Sequence, residues 1–96
     1  MAKKTDINCA SKLSLLSNDI RLQVVRFLMK GPAAVSDLLK EIPIEQNLMS
    51  HHLRLLREGE IVISKRIGKG VIYTLNGEIS SEIENEVNLG CCRLSF

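Results

Sequence analysis

Apolar residues recur at helical spacing along the first part of the chain. A weak pattern over residues 6–16 predicts a first helix. A stronger pattern begins after Ser17, which we expect to cap the second helix, and ends at Gly31. The buried face of this second helix follows the i, i+4, i+7, i+8 spacing and consists of Ile20, Val24, Phe27 and Leu28.

A short turn separates the next two predicted helices. The third helix runs from about Val35 to Ile42 and ends there because Pro43 disfavours helical backbone in the residue before it. The fourth runs from Gln46 to Glu58. Its apolar stripe, at i, i+4 and i+7, consists of Met49, Leu53 and Leu56. Two helices joined by so short a turn predict a helix-turn-helix.

The periodicity changes after the fourth helix. The β-branched runs "IVISKRI" and "VIYTL" flank the turn "GKG", a pattern typical of a β-hairpin. Helical spacing returns over residues 77–87, where Ile79, Ile83 and Val87 recur every four residues. The predicted order is α-α-α-α-β-β-α, which is mainly α with a two-stranded β wing. We interpret residues 1–96 as a single winged helix-turn-helix domain.

The face of the fourth helix opposite its apolar stripe carries side chains suited to reading DNA. Gln and Asn pair with adenine, Arg with guanine or phosphate, and Ser with either. Between residues 54 and 69 the chain has five Lys or Arg against two acids. A solvated polar face is the ordinary alternative, but the helix-turn-helix order and the clustered cations favour DNA binding. The predicted DNA contacts are Gln46, Asn47, Ser50, His51, Arg54, Arg57, Lys65, Arg66 and Lys69.

The two histidines are adjacent in the fourth helix, so their side chains diverge by about 100° and cannot chelate one ion. We expect His51 to face DNA. His52 follows the apolar residue Met49 by three positions, and we expect it to pack half-buried against the core.

Composition narrows the class of protein. The chain has 96 residues, 45% hydrophobic and 25% charged, which is typical of a soluble globular protein. A net charge of +2 is too small to indicate nucleic-acid binding by itself. No apolar run approaches the roughly 18 residues that span a membrane, and no secretory signal opens the chain, so we expect a cytoplasmic protein without a membrane partner. No nucleophile–base pair, phosphate loop or catalytic metal motif is present, and we expect neither an enzyme nor a constitutive cofactor.

Residues 16–75 resemble a known family. They read "LSNDIRLQVVRFLMKGPAAVSDLLKEIPIEQNLMSHHLRLLREGEIVISKRIGKGVIYTL", and the most specific pieces are "SHHLRLLREGEIV" and "KRIGKGVIYTL". The stretch resembles the ArsR/SmtB family of winged-helix transcriptional repressors. The resemblance implies a homodimer that binds double-stranded operator DNA and releases it when a metal ion, a metalloid or a thiol-reactive signal binds. It also implies that residues 1–16 and 77–96 form the dimerisation and sensing segments.

Two effector sites of that family do not carry over to this sequence. Where many relatives have two cysteines at the start of the third helix, this chain reads "AVSD", with Ala34 and Ser36 in the cysteine positions. Other relatives bind zinc through Asp, His and Glu on their last helices, but the predicted last helix "GEISSEIENEVNLG" has no histidine. The soft ligands that remain are cysteines.

The chain has three cysteines, Cys9, Cys91 and Cys92. Three thiolates suit a soft ion, and trivalent arsenic or antimony takes three sulfurs. Some family members are similar in using a vicinal cysteine pair near the C-terminus for arsenite, and the resemblance brings Cys9 close to that pair. We therefore predict As(III) or Sb(III) as the effector, bound by these three cysteines, with Cys9 from the same chain as Cys91 and Cys92 or from the other chain of the dimer.

Several alternatives remain open. The same thiols could sense oxidants or reactive sulfur species, or bind Cd, Pb or Zn. The two tail cysteines could also be incidental. A winged helix can, finally, serve as a protein-interaction module rather than a DNA-binding one.

Overall fold

The computed structural model describes residues 4–79, 85–90 and 92–96 of the chain. Within these ranges the helices are α1 (Lys4–Leu16), α2 (Asp19–Leu28), α3 (Val35–Glu41) and α4 (Gln46–Glu58). The strands are β1 (Ala33–Ala34), β2 (Val62–Ile67), β3 (Gly70–Leu75), β4 (Glu86–Asn88) and β5 (Arg93–Ser95). The predicted winged helix-turn-helix is confirmed, with two differences at the wing and at the C-terminal end.

The N-cap of α2 is Asn18, whereas Ser17 was predicted. The Asn18 Oδ1 atom accepts hydrogen bonds from the backbone N–H groups of Ile20 at 2.9 Å and Arg21 at 3.1 Å. The Ser17 hydroxyl instead donates to the carbonyl of Ser14 at 2.6 Å, at the end of α1. Ser17 therefore completes the preceding helix, and the cap of α2 moves one residue along the chain.

The helix-turn-helix consists of α3 and α4, and α4 has the predicted bounds. Met49, Leu53 and Leu56 are fully buried, as their spacing predicted. The helix begins after Glu45, whose side chain makes no capping hydrogen bond. Packing of the apolar stripe therefore holds the start of α4 in place without a side-chain cap.

The C-terminal end of α4 closes in a Schellman motif. The N–H of Ile61 donates to the carbonyl of Leu56 at 2.9 Å, and the N–H of Glu60 donates to that of Arg57 at 3.0 Å. The motif requires a left-handed residue, and Glu60 supplies it with φ of 62°. This turn directs the chain from α4 into β2.

The wing is part of a three-stranded antiparallel sheet with the order β1-β3-β2. The hairpin of β2 and β3 was predicted, but β1 was not, because two alanines carry no strand pattern. Ala33 pairs with Tyr73 on one side of β3, and Ser64 pairs with Tyr73 on the other. Since β3 is central, its backbone is held from both sides.

The predicted C-terminal helix over residues 77–87 is wrong in its described part. Glu86–Asn88 is a strand that pairs with Arg93–Ser95 in a two-stranded sheet. Val87 and Leu89 are both buried, which is the alternation of a strand, and Asn85 and Gly90 on either side have positive φ angles of 60° and 90°. The four-residue spacing of Ile79, Ile83 and Val87 was therefore too short a signal for a helix. Residues 80–84, which include Ile83, lie outside the described residues.

Candidate functional site

The exposed face of α4 forms one wall of a groove. Because α4 buries its apolar stripe against the core, the residues between those positions turn outward. Tyr73 of β3 also lines the groove. The groove has a volume of about 320 Å³ and is lined by Asn47, Ser50, His51, Arg54, Arg57 and Tyr73. Five of the predicted DNA contacts thus share one groove, while Gln46 is exposed at the start of α4 outside it.

Arg54 is held only loosely in this groove. Its Nη2 atom lies 3.4 Å from His51 Nδ1, and its Nε atom lies 3.9 Å from the Glu58 carboxylate. The side chains of Arg54 and Glu58 are both more than half exposed, at 58% and 65%. Exposed ion pairs of this kind contribute less than about 1 kcal/mol. A stronger anionic ligand can therefore displace them.

The register of the wing divides its cations between two faces. Arg66 lies on the face that carries Ser64 and Tyr73, because it follows Ser64 by two residues along β2. Lys65 lies on the opposite face, between the exposed side chains of Ile63 and Ile67. Lys69 is exposed in the turn at the wing tip. Of these cations, Arg66 is therefore the one that shares a sheet face with the groove.

His52 packs on the other side of α4, more deeply buried than the half-buried position predicted for it. It is 7% exposed, and its Nδ1 atom lies 3.3 Å from Arg21 Nη1. Burial lowers the pKa of His52 below its usual value, and the positive charge of Arg21 and the neighbouring His51 lower it further. A neutral imidazole can accept a hydrogen bond from Arg21 at Nδ1.

Arg21 also contacts the end of α1. Its Nε atom donates to the backbone carbonyl of Leu15 at 2.6 Å. One guanidinium on α2 therefore joins the C-terminal end of α1 to the middle of α4. The side chain of Leu15 packs close to Gly59, so α1 also touches the end of α4.

The thiols lie away from the groove. Cys9 Sγ on α1 lies 3.7 Å from Cys92 Sγ, which comes just before β5. Cys9 takes part in a disulfide, whereas Cys92 is a free, half-buried cysteine. The third predicted ligand, Cys91, lies outside the described residues. Across the described ranges no group of three His, Cys, Asp or Glu side chains is arranged to hold a metal ion.

Comparison with known proteins identifies the family. Residues 18–64 match the model of the "bacterial regulatory protein, arsR family". The chain is also 31% identical over 77 residues to the arsenical resistance operon repressor of Staphylococcus aureus, an alignment that covers 80% of this chain and 74% of that protein. The chain belongs to the arsR family.

Two further relatives support this assignment to the arsR family. The HTH-type transcriptional regulator NmtR of Mycobacterium tuberculosis is 39% identical over 66 residues, which is 69% of this chain but only 55% of NmtR. The solution structure of a homodimeric winged helix-turn-helix DNA-binding domain from Mycobacterium bovis, a possible ArsR-family regulator, matches with a TM-score of 0.69 and 28% identity. That match covers 74% of this chain and 66% of the other.

These findings confirm the family predicted from the sequence, and with it the expectation of a regulatory protein rather than an enzyme. None of the described helices of this arsR-family chain is long and apolar enough to cross a membrane.

Two residues of the arsR-family chain gain importance only from the structure. Tyr73 was one position in a β-branched run, and Arg21 was one polar position on an amphipathic helix. The alternation of β3 assigns Tyr73 to a face, but only the tertiary structure shows that this face meets α4. The local sequence pattern gave no indication of the contacts of Arg21, because both of its partners come from other helices.

Proposed function

We propose that the chain is a homodimeric transcriptional repressor that binds a two-fold operator and releases it when trivalent arsenic or antimony binds its cysteine thiolates. The observation that carries the DNA-binding part is the groove beside α4, with its two arginines and its amide, hydroxyl and imidazole groups. The observation that carries the sensing part is the 3.7 Å separation of Cys9 Sγ and Cys92 Sγ.

In the proposed complex, α4 enters the major groove and acts as the recognition helix. Asn47, Ser50 and Arg54, on its exposed face, read base edges, and Gln46, His51 and Arg57 contact bases or phosphates beside them. Arg66, on the groove face of the wing, and Lys69, at its tip, hold the DNA backbone, whereas Lys65 lies on the opposite face of the wing and would reach a phosphate only from there. A homodimer like the M. bovis relative would bind half-sites about one helical turn apart.

Once the disulfide at Cys9 is reduced, its sulfur and that of Cys92 would be close enough to bind one thiophilic ion. Two thiolates bound to one tetrahedral ion at about 2.3 Å lie about 3.8 Å apart. A pyramidal As(III) centre has narrower angles, so its sulfurs would draw somewhat closer together. Cys9 and Cys92 would supply two sulfurs, and Cys91, next to Cys92 in sequence, would supply the third. The S. aureus relative is named as an arsenical resistance repressor, which supports this ligand class.

Thiol redox sensing is the second candidate, and a specific observation favours it. Cys9 takes part in a disulfide. In a redox switch, two thiols would lose two electrons and two protons to an oxidant such as a peroxide, and a dithiol reductant would reverse the change. Either signal would need to alter operator affinity through a coupling of about 1–3 kcal/mol.

A Cys92→Ser variant tests the sensing role. Reduced protein is bound to a labelled two-fold duplex, and fluorescence anisotropy follows release as arsenite is added. We expect Cys92→Ser to bind DNA normally but to need much more arsenite, since one sulfur of the cluster is gone. Ser95→Ala, an exposed change in the same hairpin, is the matched control and should respond like the wild type.

Two results separate the candidates. Release of Cys92→Ser from DNA at the wild-type arsenite concentration would remove the thiol cluster from the mechanism. Release of the wild type by a mild oxidant in the absence of arsenite, with rebinding after reduction, would favour the redox switch.

A further inference from the structure

Tyr73 lies where α4 and the wing meet. Its strand, β3, is the centre of the sheet, and its backbone pairs with Ala33 on one side and Ser64 on the other. The side chain is half-buried and lines the groove beside α4. Because a sheet fixes the backbone on both sides, the position of the ring is set by a rigid element rather than by a loop.

The chemistry of the groove suits a phosphate group. The residues that line it include the guanidinium groups of Arg54 and Arg57 and no carboxylate. The Glu58 carboxylate lies 3.9 Å from the Nε atom of Arg54 but is not among the residues that line the groove. Guanidinium groups form strong, charge-assisted hydrogen bonds to phosphate oxygens, so an anionic strand is the natural occupant of this groove.

The position of Tyr73 on the wing, rather than on α4, points to the DNA backbone rather than to a base. When a recognition helix enters the major groove, the sugar–phosphate strand at the edge of that groove passes beside it. Tyr73 is the wing residue among those that line the groove with α4. The phenol hydroxyl is the polar group of the ring, and tyrosine is among the side chains that donate to phosphate oxygens.

We propose that Tyr73 donates a hydrogen bond from its phenol to a DNA phosphate and thereby sets how α4 seats in the major groove. This inference rests on the proposed DNA-binding function. A neutral hydroxyl releases no counterion, so its contribution does not change with salt. A phosphate carries no base identity, so the contribution is the same on operator and on unrelated duplex.

Tyr73→Phe removes the hydroxyl and keeps the ring. We expect about a tenfold loss of affinity, because the acceptor is charged. The loss should be equal on the operator and on an unrelated duplex of the same length, and the slope of log affinity against log salt should stay at the wild-type value. Arg57→Gln provides the contrast, because loss of one phosphate-neutralising charge lowers that slope by about 0.9.

Thr74→Val is the matched control. It removes a hydroxyl from the next residue of the same strand, on the opposite face of the sheet, where Thr74 pairs with Ile63. We expect wild-type affinity for both duplexes.

Three results would overturn the inference. They are unchanged affinity of Tyr73→Phe, a loss confined to the operator, which would indicate base reading, and an equal loss in Thr74→Val, which would indicate a weakened wing. A wild-type protein whose duplex binding does not weaken with salt would instead overturn the proposed function itself, before any variant is compared.

Discussion

Replacing Arg21 with methionine removes the side chain that joins three helices. Its Nε atom donates to the carbonyl of Leu15 at 2.6 Å, and its Nη1 atom lies 3.3 Å from the buried Nδ1 atom of His52. A hydrogen bond with a charged donor contributes about 1.5–3 kcal/mol, and the longer contact contributes about 1 kcal/mol. Methionine retains the apolar stem, so packing changes little. We expect Arg21→Met to lower the free energy of unfolding by about 2.5–4 kcal/mol.

The assay is urea unfolding at a fixed protein concentration, because dimerisation makes stability depend on concentration. Arg26→Met is the control, since it is the same substitution on the same helix at an exposed position. Its guanidinium lies 5.1 Å from the centre of the Phe96 ring, a contact that contributes about 0.5–1 kcal/mol. Equal losses in the two variants would refute the role of Arg21 as the link between the helices.

Arg21 also connects the helices on which the two candidate sites lie. Cys9 lies on α1 and the groove lies beside α4, and Arg21 bonds both helices. If a ligand at Cys9 displaced α1, Arg21 is the contact through which α4 would be affected.

Three further predictions concern stability and DNA affinity. Because the pKa of His52 is lowered in the folded state, the unfolded chain binds a proton first, and the free energy of unfolding should fall as pH drops below about 6.5; pH-dependent urea unfolding should show a flatter profile for His52→Gln than for the wild type. Glu60→Gly should stabilise the fold by about 0.5–1 kcal/mol in thermal unfolding, since the left-handed φ of 62° strains any side chain. Glu60→Ala keeps that strain and should not stabilise the fold. Lys69→Ala should lower the salt slope of operator binding by about 0.9 if Lys69 contacts a phosphate, and an unchanged slope would remove it from the interface.

The sequence was most informative where two independent signals agreed. The bounds of α4 followed from an apolar stripe together with the break at Pro43, and both are local properties of the chain. The wing hairpin followed from β-branched runs around a glycine turn. In each case the pattern of apolar residues and a neighbouring proline or glycine indicated the same element.

Prediction failed where one short pattern stood alone. Over residues 77–87, a repeat of three apolar residues predicts a helix, although Val87 and Leu89 also fit a strand. Asn85 and Gly90, which lie on either side of β4, have positive φ angles that interrupt helical backbone. The extra strand β1 was missed because Ala33 and Ala34 pair through backbone groups alone, which no side-chain pattern reveals.

The features of the candidate sites also differ in whether the sequence could predict them. The exposed face of α4 was readable because helical geometry relates Asn47, Ser50 and Arg54 within one element. The approach of Cys9 to Cys92 spans almost the whole chain, and only the family resemblance suggested it. The contacts of Arg21 and Tyr73 depend on how separate elements pack, so the sequence alone held no sign of them.

The proposal that thiols control operator binding is tested most directly on the preformed complex. Reduced wild-type protein is bound to a labelled two-fold duplex without oxygen, and As(III) is added while anisotropy is followed, with Cd(II), Zn(II) and a mild oxidant in parallel. We predict that arsenite releases the DNA and that an excess of a competing dithiol restores binding. A complex that persists through a large excess of arsenite but dissociates with the oxidant or with another metal would contradict arsenite sensing. A complex that none of these agents dissociates would contradict the thiol mechanism altogether.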